Sequence, residues 1–274
     1  MNKLVSGAMG VEVQLRSGIN RINFPDVVEL RKKRIKHIDF CYGSYFGQYN
    51  YITKAPSGND LVSDSVIDNL LVTLVESNTK TELIREIPAS QLDTNGNRLF
   101  INKIVDLPRS YIDLTGISDP NDITAKSVYV VFWYDEPAIW SQINEANDRT
   151  AIQPVEITLT GSKTYFAENR DMLNKRIRNL LLSFPVVAPS GKSGLDVNYM
   201  NNKFLTLQRN GLQFFHQIPL YLFFQTNLNF QLRLQNIQFD FQNSYIETLS
   251  TSADDLKTVF FNAIIDDNPV SIKR

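Results

Sequence analysis

A collinear internal repeat constrains this chain more than any other feature, because a unit encoded twice must fold twice around its own core. Arg34-Ile35 within RKKRIKHIDF resembles Arg176-Ile177 within NKRIRNLLLSF, at an offset of 142. LLVTLVE (Leu70–Glu76) resembles KFLTLQR (Lys203–Arg209) at 133, and EIPASQL from Glu86 matches QIPLYLF from Gln217 at 131. Ser110-Tyr111-Ile112 recurs as Ser244-Tyr245-Ile246 at 134, and KSVYVVF from Lys126 resembles KTVFFNA from Lys257 at 131. Single short matches arise by chance; five in one order at nearly constant spacing point to duplication. The larger first offset is absorbed by a loop, since Arg34 to Leu71 is 37 positions and Arg176 to Phe204 only 28.

The chain has 274 residues, enough for two units that each bury a core. Each copy reads as all-β. Leu228, Phe230, Leu232 and Leu234 alternate with polar residues, then Ile237, Phe239 and Phe241 alternate in the opposite phase, the pattern of a half-buried strand bent near Gln235-Asn236. Further strands are predicted at Tyr45–Thr53, Lys80–Ile87, Arg98–Leu107, Val155–Thr160 and Leu212–Gln217, with Asn-Gly turn signals between several of them. Pro88 and Pro219 hold the same place in the two copies, which predicts an edge or a bulge there. The abundance of Phe (17) and Tyr (11) favours strands. Helices are few and short: Pro25–Lys32, Ala167–Asn174 and Trp140–Ala146. The expected organisation is an N-terminal arm over 1–24, a first β unit over 25–150 and a second over 151–274, each of about eight strands.

Lys plus Arg is 28 and Asp plus Glu 29, a net charge of −1, which argues against a globally basic nucleic-acid binder. Two histidines, His37 and His216, are too few for most zinc or triad arrangements, and each reads as a packed strand residue. Ala188-Pro189-Ser190-Gly191-Lys192-Ser193-Gly194 imitates a phosphate loop, but that motif needs glycine where Val186 stands and a helix after it. Acidic clusters at Asp119–Asp122, Asp254-Asp255 and Asp266-Asp267 match no calcium-loop spacing. The strand carboxylates Asp106 and Asp240 form a matched repeat pair and would lie in different units, not in one active site. Cys41 reads as a buried thiol, since a lone cysteine makes no internal disulfide. No catalytic residue, cofactor or metal ligand is assigned, and no enzyme is expected. The opening residues lack a signal-peptide core and no apolar run has the length of a span, so a soluble product made in the cytoplasm is expected.

The charged feature of note is basic. Arg31, Lys32, Lys33, Arg34 and Lys36 form one run, and Lys175, Arg176 and Arg178 recur at the matching place. Residues 1–40 carry eight basic and four acidic side chains, +4 locally. Either these are solvated faces, or both units turn the same end toward an anionic surface, lipid or genome. Trp133 and Trp140, near the junction of the copies, are candidate anchors of a unit–unit or subunit contact.

On LLVTLVE/KFLTLQR, EIP/QIP, SYI/SYI and KSVYVVF/KTVFFNA, residues 25–274 resemble the double jelly-roll major capsid proteins of small icosahedral phages with an internal membrane, such as the corticovirus and the Flavobacterium-infecting lipid-containing phage. The resemblance implies two tandem eight-stranded jelly-roll barrels and a homotrimer that tiles a virion shell beside other virion proteins. It supplies no catalytic residues. A tandem β-sandwich binding module, carbohydrate-binding or a receptor-binding spike, is the alternative, because jelly rolls host lectins as well as capsids.

Overall fold

The computed structural model describes residues 4–43, 45–46, 49–50, 52–92, 101–137, 150–168, 172, 176–183, 187–188, 190–195, 200, 202–209, 212–225, 240–249 and 256–266. The fold is all-β, with several sheets and, among the described residues, two short helices, α1 (Asp64–Ile67) and α2 (Leu220–Gln225). The chain divides into two compact units: Gly7–Glu136, and Pro137–Arg274 together with residues 1–6.

In the first unit the strands are β1 (Leu4–Gln14), β2 (Arg21–Asn23), β3 (Arg34–Cys41), β4 (Tyr45–Phe46), β5 (Tyr49–Asn50), β6 (Asp60–Leu61), β7 (Leu71–Val75), β8 (Glu82–Pro88), β9 (Lys103–Ile104), β10 (Tyr111–Asp113) and β11 (Lys126–Pro137). One sheet runs β1-β11-β3-β9, with β6 parallel to β11, and a second runs β2-β10-β7-β8. Both sheets turn alternate residues toward one core. Met9, Val11 and Val13 of β1, with Leu15 just beyond it, meet Ile38 and Phe40 of β3, Val128, Val130 and Phe132 of β11, and Val72, Leu74, Ile84 and Ile112 of the second sheet. Phe24 packs edge-on to Phe132, ring centroids 5.9 Å apart.

In the second unit the strands are β12 (Thr150–Thr158), β13 (Lys163–Tyr165), β14 (Arg176–Ser183), β15 (Lys203–Arg209), β16 (Leu212–Pro219), β17 (Asp240–Thr248) and β18 (Thr258–Asp266). They pair as β12-β18-β14 and β13-β17-β15-β16.

The pairing registers of the two units correspond residue by residue. Leu71↔Pro88, Val72↔Ile87 and Leu74↔Ile84 answer to Phe204↔Pro219, Leu205↔Ile218 and Leu207↔Phe215, with register breaks at the same places. Tyr111↔Thr73 answers to Tyr245↔Thr206, and Tyr111↔Asn23 to Tyr245↔Tyr165. Along β3 and β11 the ladder slips between Trp133 and Tyr134 and skips Lys36; along β14 and β18 it slips between Ile177 and Asn179 and skips Arg178. Glu86 and Gln217, the residues before each Ile-Pro, both take positive φ, 48° and 51°. Each sends its amide to a threonine hydroxyl one strand away, Thr73 at 3.1 Å and Thr206 at 3.0 Å. The two matched prolines thus end strands beside a bulge, and β8 is an edge strand of its sheet, as the sequence pattern predicts.

A buried serine is also used twice. Ser110 Oγ donates to Asp106 O (2.7 Å) and accepts from Val75 N (3.0 Å); Ser244 Oγ donates to Asp240 O (2.7 Å) and accepts from Gln208 N (3.0 Å). Both serines are 0% exposed. Ser110→Ala and Ser244→Ala are each expected to cost about 1–3 kcal/mol in urea denaturation, because a buried amide loses its acceptor. A loss at one position and none at the other would contradict their structural equivalence.

Several sequence expectations are corrected. Within the segment expected as an N-terminal arm, Leu4–Gln14 and Arg21–Asn23 are strands, and Val11 and Val13 carry the alternation that marks β1. The compact units divide at 136/137, where β11 ends, and not at the expected 150/151. Among the described residues of Tyr45–Thr53 the strands are Tyr45–Phe46 and Tyr49–Asn50, and among those of Arg98–Leu107 the strand is Lys103–Ile104. Pro25–Lys32 holds a single 3₁₀ turn, Val28–Leu30, where buried Leu30 ties the turn to the core. The bent strand at Leu228–Phe239, the helix at Trp140–Ala146 and most of that at Ala167–Asn174 fall outside the described residues.

Candidate functional site

The first basic run begins on the Val28–Leu30 turn and continues into β3. Arg31 closes a fork on Asp26, Nε to Oδ1 at 3.0 Å and Nη2 to Oδ2, and this guanidinium holds the Asp26 carboxyl below the usual range. Arg34 donates from Nη1 to Asn102 O at 3.2 Å. The Lys33 amine lies 5.3 Å from the Tyr134 ring centroid, within cation–π range. Lys36 is the extra residue of the β3 bulge and is half-buried; Lys32 is exposed. Beside the run lies a cleft of about 240 Å³ lined by Asp26, Arg31, Lys80, Asp106 and neighbouring apolar residues. Asp106 pairs with Lys80 (2.8 Å) and Arg109 (3.7 Å), and nearby Glu76 pairs with Lys103 (3.1 Å). Acids and bases therefore alternate around the cleft, and Arg31 spends its charge within the molecule.

Of the second run, Arg176 and Arg178 occupy the β14 positions that answer to Arg34 and Lys36, and Lys175 lies outside the described residues. Trp133 is 1% exposed. Its Nε1 donates to Asp39 Oδ2 at 2.6 Å, and its ring stacks on His37 with centroids 5.6 Å apart. An indole enclosed in this way is buried within the chain itself. Trp140 lies outside the described residues.

The residues read as chemically inert on the sequence have structural places. His37 is buried on β3, His216 is half-buried on β16, and Cys41 is buried. Asp119 accepts from Asn121 N (2.9 Å), capping a short turn. Among the described residues no three His, Cys, Asp or Glu side chains converge on one point. The Ser190–Ser193 segment is a turn, not a phosphate loop: Ala188 N donates to Lys192 O and Gly191 N to Ala188 O, both at 2.8 Å.

That turn exposes a repeat signal that sequence reasoning missed. Ala55-Pro56-Ser57-Gly58 is identical to Ala188-Pro189-Ser190-Gly191, at offset 133. Gly58 and Gly191 take the same left-handed conformation (φ 91° and 80°), which explains why both copies keep glycine there. Each turn is held by a carboxylate from the first strand of its unit. Glu12 accepts from Ser57 Oγ and Asn59 Nδ2 at 2.8 Å, and Glu156 accepts from Ser190 N at 3.1 Å.

A duplicated cation–aromatic contact marks β2 and β13. Arg21 lies 4.5 Å from the Tyr111 ring centroid, and Lys163 lies 3.7 Å from that of Tyr245. Arg21 also pairs with Asp113 at 3.0 Å. Burial pushes the Asp113 carboxyl up, but the Thr115 hydroxyl (2.5 Å) and amide (2.9 Å) and the Arg21 guanidinium outweigh it and hold it below the usual range. A depressed folded-state pKa gives stability that is complete above the unfolded value, about 3.9, and is lost as pH falls through the folded value. Asp113→Asn is therefore expected to lower stability at pH 7 and to flatten its decline toward pH 3, read by denaturant melts at both pH values.

Comparison with protein-family models, with curated proteins and with solved structures finds no match to this chain.

Proposed function

We propose that this chain is a structural capsid subunit: two tandem jelly-roll barrels from an internal duplication, associating as a homotrimer whose six barrels form a pseudo-hexagonal tile of an icosahedral virion shell around an internal membrane. The observation that carries this reading is the paired topology. The order β1-β11-β3-β9 beside β2-β10-β7-β8 supports an eight-stranded double Greek key, and among the described residues β12-β18-β14 with β13-β17-β15-β16 pair in registers that answer to those of the first unit. Twin units in one chain offer quasi-equivalent edges, and closed symmetric association is the common use of such edges. The carboxylates open to a catalytic reading, Asp106 and Asp240, are occupied in turns and ion pairs. The subunit's partners are its own copies, other virion proteins and, at the basic segments, anionic lipid or genome.

Light scattering after size exclusion tests the assembly. A trimer of about 94 kDa (three times 31.3 kDa) is expected, together with ordered arrays in electron micrographs at high concentration. A monomer at every concentration that binds glycan would favour the tandem binding module instead. For the anionic surface, Lys32→Glu with Lys33→Glu is expected to abolish salt-sensitive flotation with anionic liposomes; unchanged flotation would remove lipid from the partners.

A further inference from the structure

Three segments of the first unit wall the cleft beside the first basic run. The Val28–Leu30 turn and its flanks bring Val27 and Arg31, the turn between β7 and β8 brings Ser77 and Lys80, and the stretch before β10 brings Asp106 and Leu107. Lys80 is placed by its backbone, which takes positive φ (58°) and donates its amide to Glu76 O at 3.0 Å. Asp106 is one carboxylate shared by two cations, Lys80 at 2.8 Å and Arg109 at 3.7 Å, so one positive charge is left over. Asp26 is spent on the Arg31 fork, which uses Nε and Nη2 and leaves the Nη1 protons for a further acceptor. Ser77 adds a half-buried hydroxyl. Over residues 25–34, 76–80 and 102–109 seven basic and four acidic side chains give +3, against −1 for the whole chain.

An ammonium, a guanidinium edge and a hydroxyl that come from separate walls suit a tetrahedral oxyanion, whose oxygens accept from several directions. A planar carboxylate is met by an arginine fork, and the fork here is already closed on Asp26. At about 240 Å³ the cleft is smaller than the roughly 300–1,000 Å³ that drug-sized ligands fill, so it takes a group of a few heavy atoms. Val28, next to Val27 in the chain, is 63% exposed on the same turn, and Lys32 and Arg34 just after it are exposed. A projecting valine beside cations gains nothing from a sugar-phosphate chain, but it gains from the boundary between head groups and acyl chains. A nucleic acid is held by cations that neutralise several phosphates in a row, whereas one small cleft takes one.

We propose that this cleft binds the phosphate group of an anionic lipid, with Lys80, Arg31 and Ser77 donating to its oxygens and Val28 entering the acyl boundary. The inference rests on the capsid reading, in which the basic segments meet anionic lipid or genome, and it names lipid and the pocket that receives its head group. Exposed cations such as Lys32 draw the protein to the surface over a distance of about one Debye length, 8 Å at physiological salt. The cleft then holds one head group by direct hydrogen bonds.

The test floats the full chain with vesicles of phosphatidylglycerol and phosphatidylcholine, and separately titrates it with inorganic phosphate followed by phosphorus NMR. Lys80→Gln with Ser77→Ala is expected to weaken both vesicle binding and phosphate binding about 10-fold, since charge-assisted hydrogen bonds are lost. Lys103→Gln removes the same charge from the Glu76 pair and is expected to leave phosphate binding within about 2-fold of wild type. Val28→Ser is expected to weaken vesicle binding about 10-fold and to leave phosphate binding unchanged. These side chains are exposed or half-buried, so circular-dichroism melts within a few degrees of wild type are expected. Wild type that does not bind phosphate, or equal losses for the Lys80 and Lys103 variants, overturns the cleft as the site. Phosphate binding that needs Lys80, with flotation that does not, overturns lipid as the source of the phosphate. A wild type that is monomeric by light scattering yet binds phosphate and vesicles through Lys80 and Ser77 overturns the capsid reading and leaves this site standing.

Discussion

Trp133→Ala is expected to destabilise the chain by about 3–5 kcal/mol, measured by urea denaturation followed by circular dichroism. The indole is 1% exposed and lies at the centre of β11, whose residues Val128 to Tyr134 are all buried. Removing it opens a cavity that the surrounding strands cannot collapse to fill. It also removes a 2.6 Å hydrogen bond to Asp39, a carboxylate that is itself 0% exposed. Trp133→Phe separates the two terms. Most of the volume is kept and only the Nε1 donor is lost, so about 1–3 kcal/mol is expected. A loss under 1 kcal/mol for Trp133→Ala would contradict the packing around the ring. The same variant distinguishes a core role from an interface role, since a core tryptophan lowers the stability of the subunit at every concentration, whereas an interface anchor acts only where subunits meet.

Gly10→Ala is expected to cost about 1–3 kcal/mol or more through overpacking, although alanine favours a strand no less than glycine does. A Cβ built at Gly10 falls 1.8 Å from the Tyr129 hydroxyl and 2.4 Å from Cζ. The Tyr129 ring is rigid and 1% exposed, so it has nowhere to swing. Glycine is required by the ring laid across β1, not by φ, since Gly10 does not take a left-handed conformation. Gly7 gives the same clearance to Tyr134, at 2.4 Å. A double-mutant cycle with Tyr129→Ala checks the cause: the cavity left by the ring accepts the new methyl, and the double variant is expected to be more stable than the sum of the single losses by over 1 kcal/mol. Strict additivity would mean that Gly10 is needed for some other reason.

Much of the β architecture was legible because matched segments carry the same alternation twice. The pairs Leu71/Phe204 and Tyr111/Tyr245, read from short matches, occupy equivalent register positions, and the prolines of the Ile-Pro pairs lie beside equivalent bulges. The positive φ of Glu86 and Gln217 was not legible. No glycine or asparagine marks it, and it is held by a threonine hydroxyl on the neighbouring strand, 13 and 11 positions away in sequence. The APSG turns are legible in the sequence, but the likeness of the second copy to a phosphate loop hides its match to the first. The basic run was found as a pattern of charge, but its pairing was not: Asp26 lies five residues before Arg31, and Asn102 reaches Arg34 only through the β3–β9 pairing.

By itself the amino-acid sequence determined the alternation that makes strands and the matched segments that recur in one order, because each is a local pattern or a comparison of one stretch with another. Only the tertiary structure decided that residues 4–14 are a full strand, that Trp133 is enclosed with Asp39 and His37, and that equivalent sheet faces are buried in one unit and open in the other. Ala8 and Ile152, or Trp133 and Ile264, are apolar residues in similar strand patterns, and their letters hold no record of what lies above them. Burial is a property of the surfaces that close over a residue, and those come from residues far away in the chain.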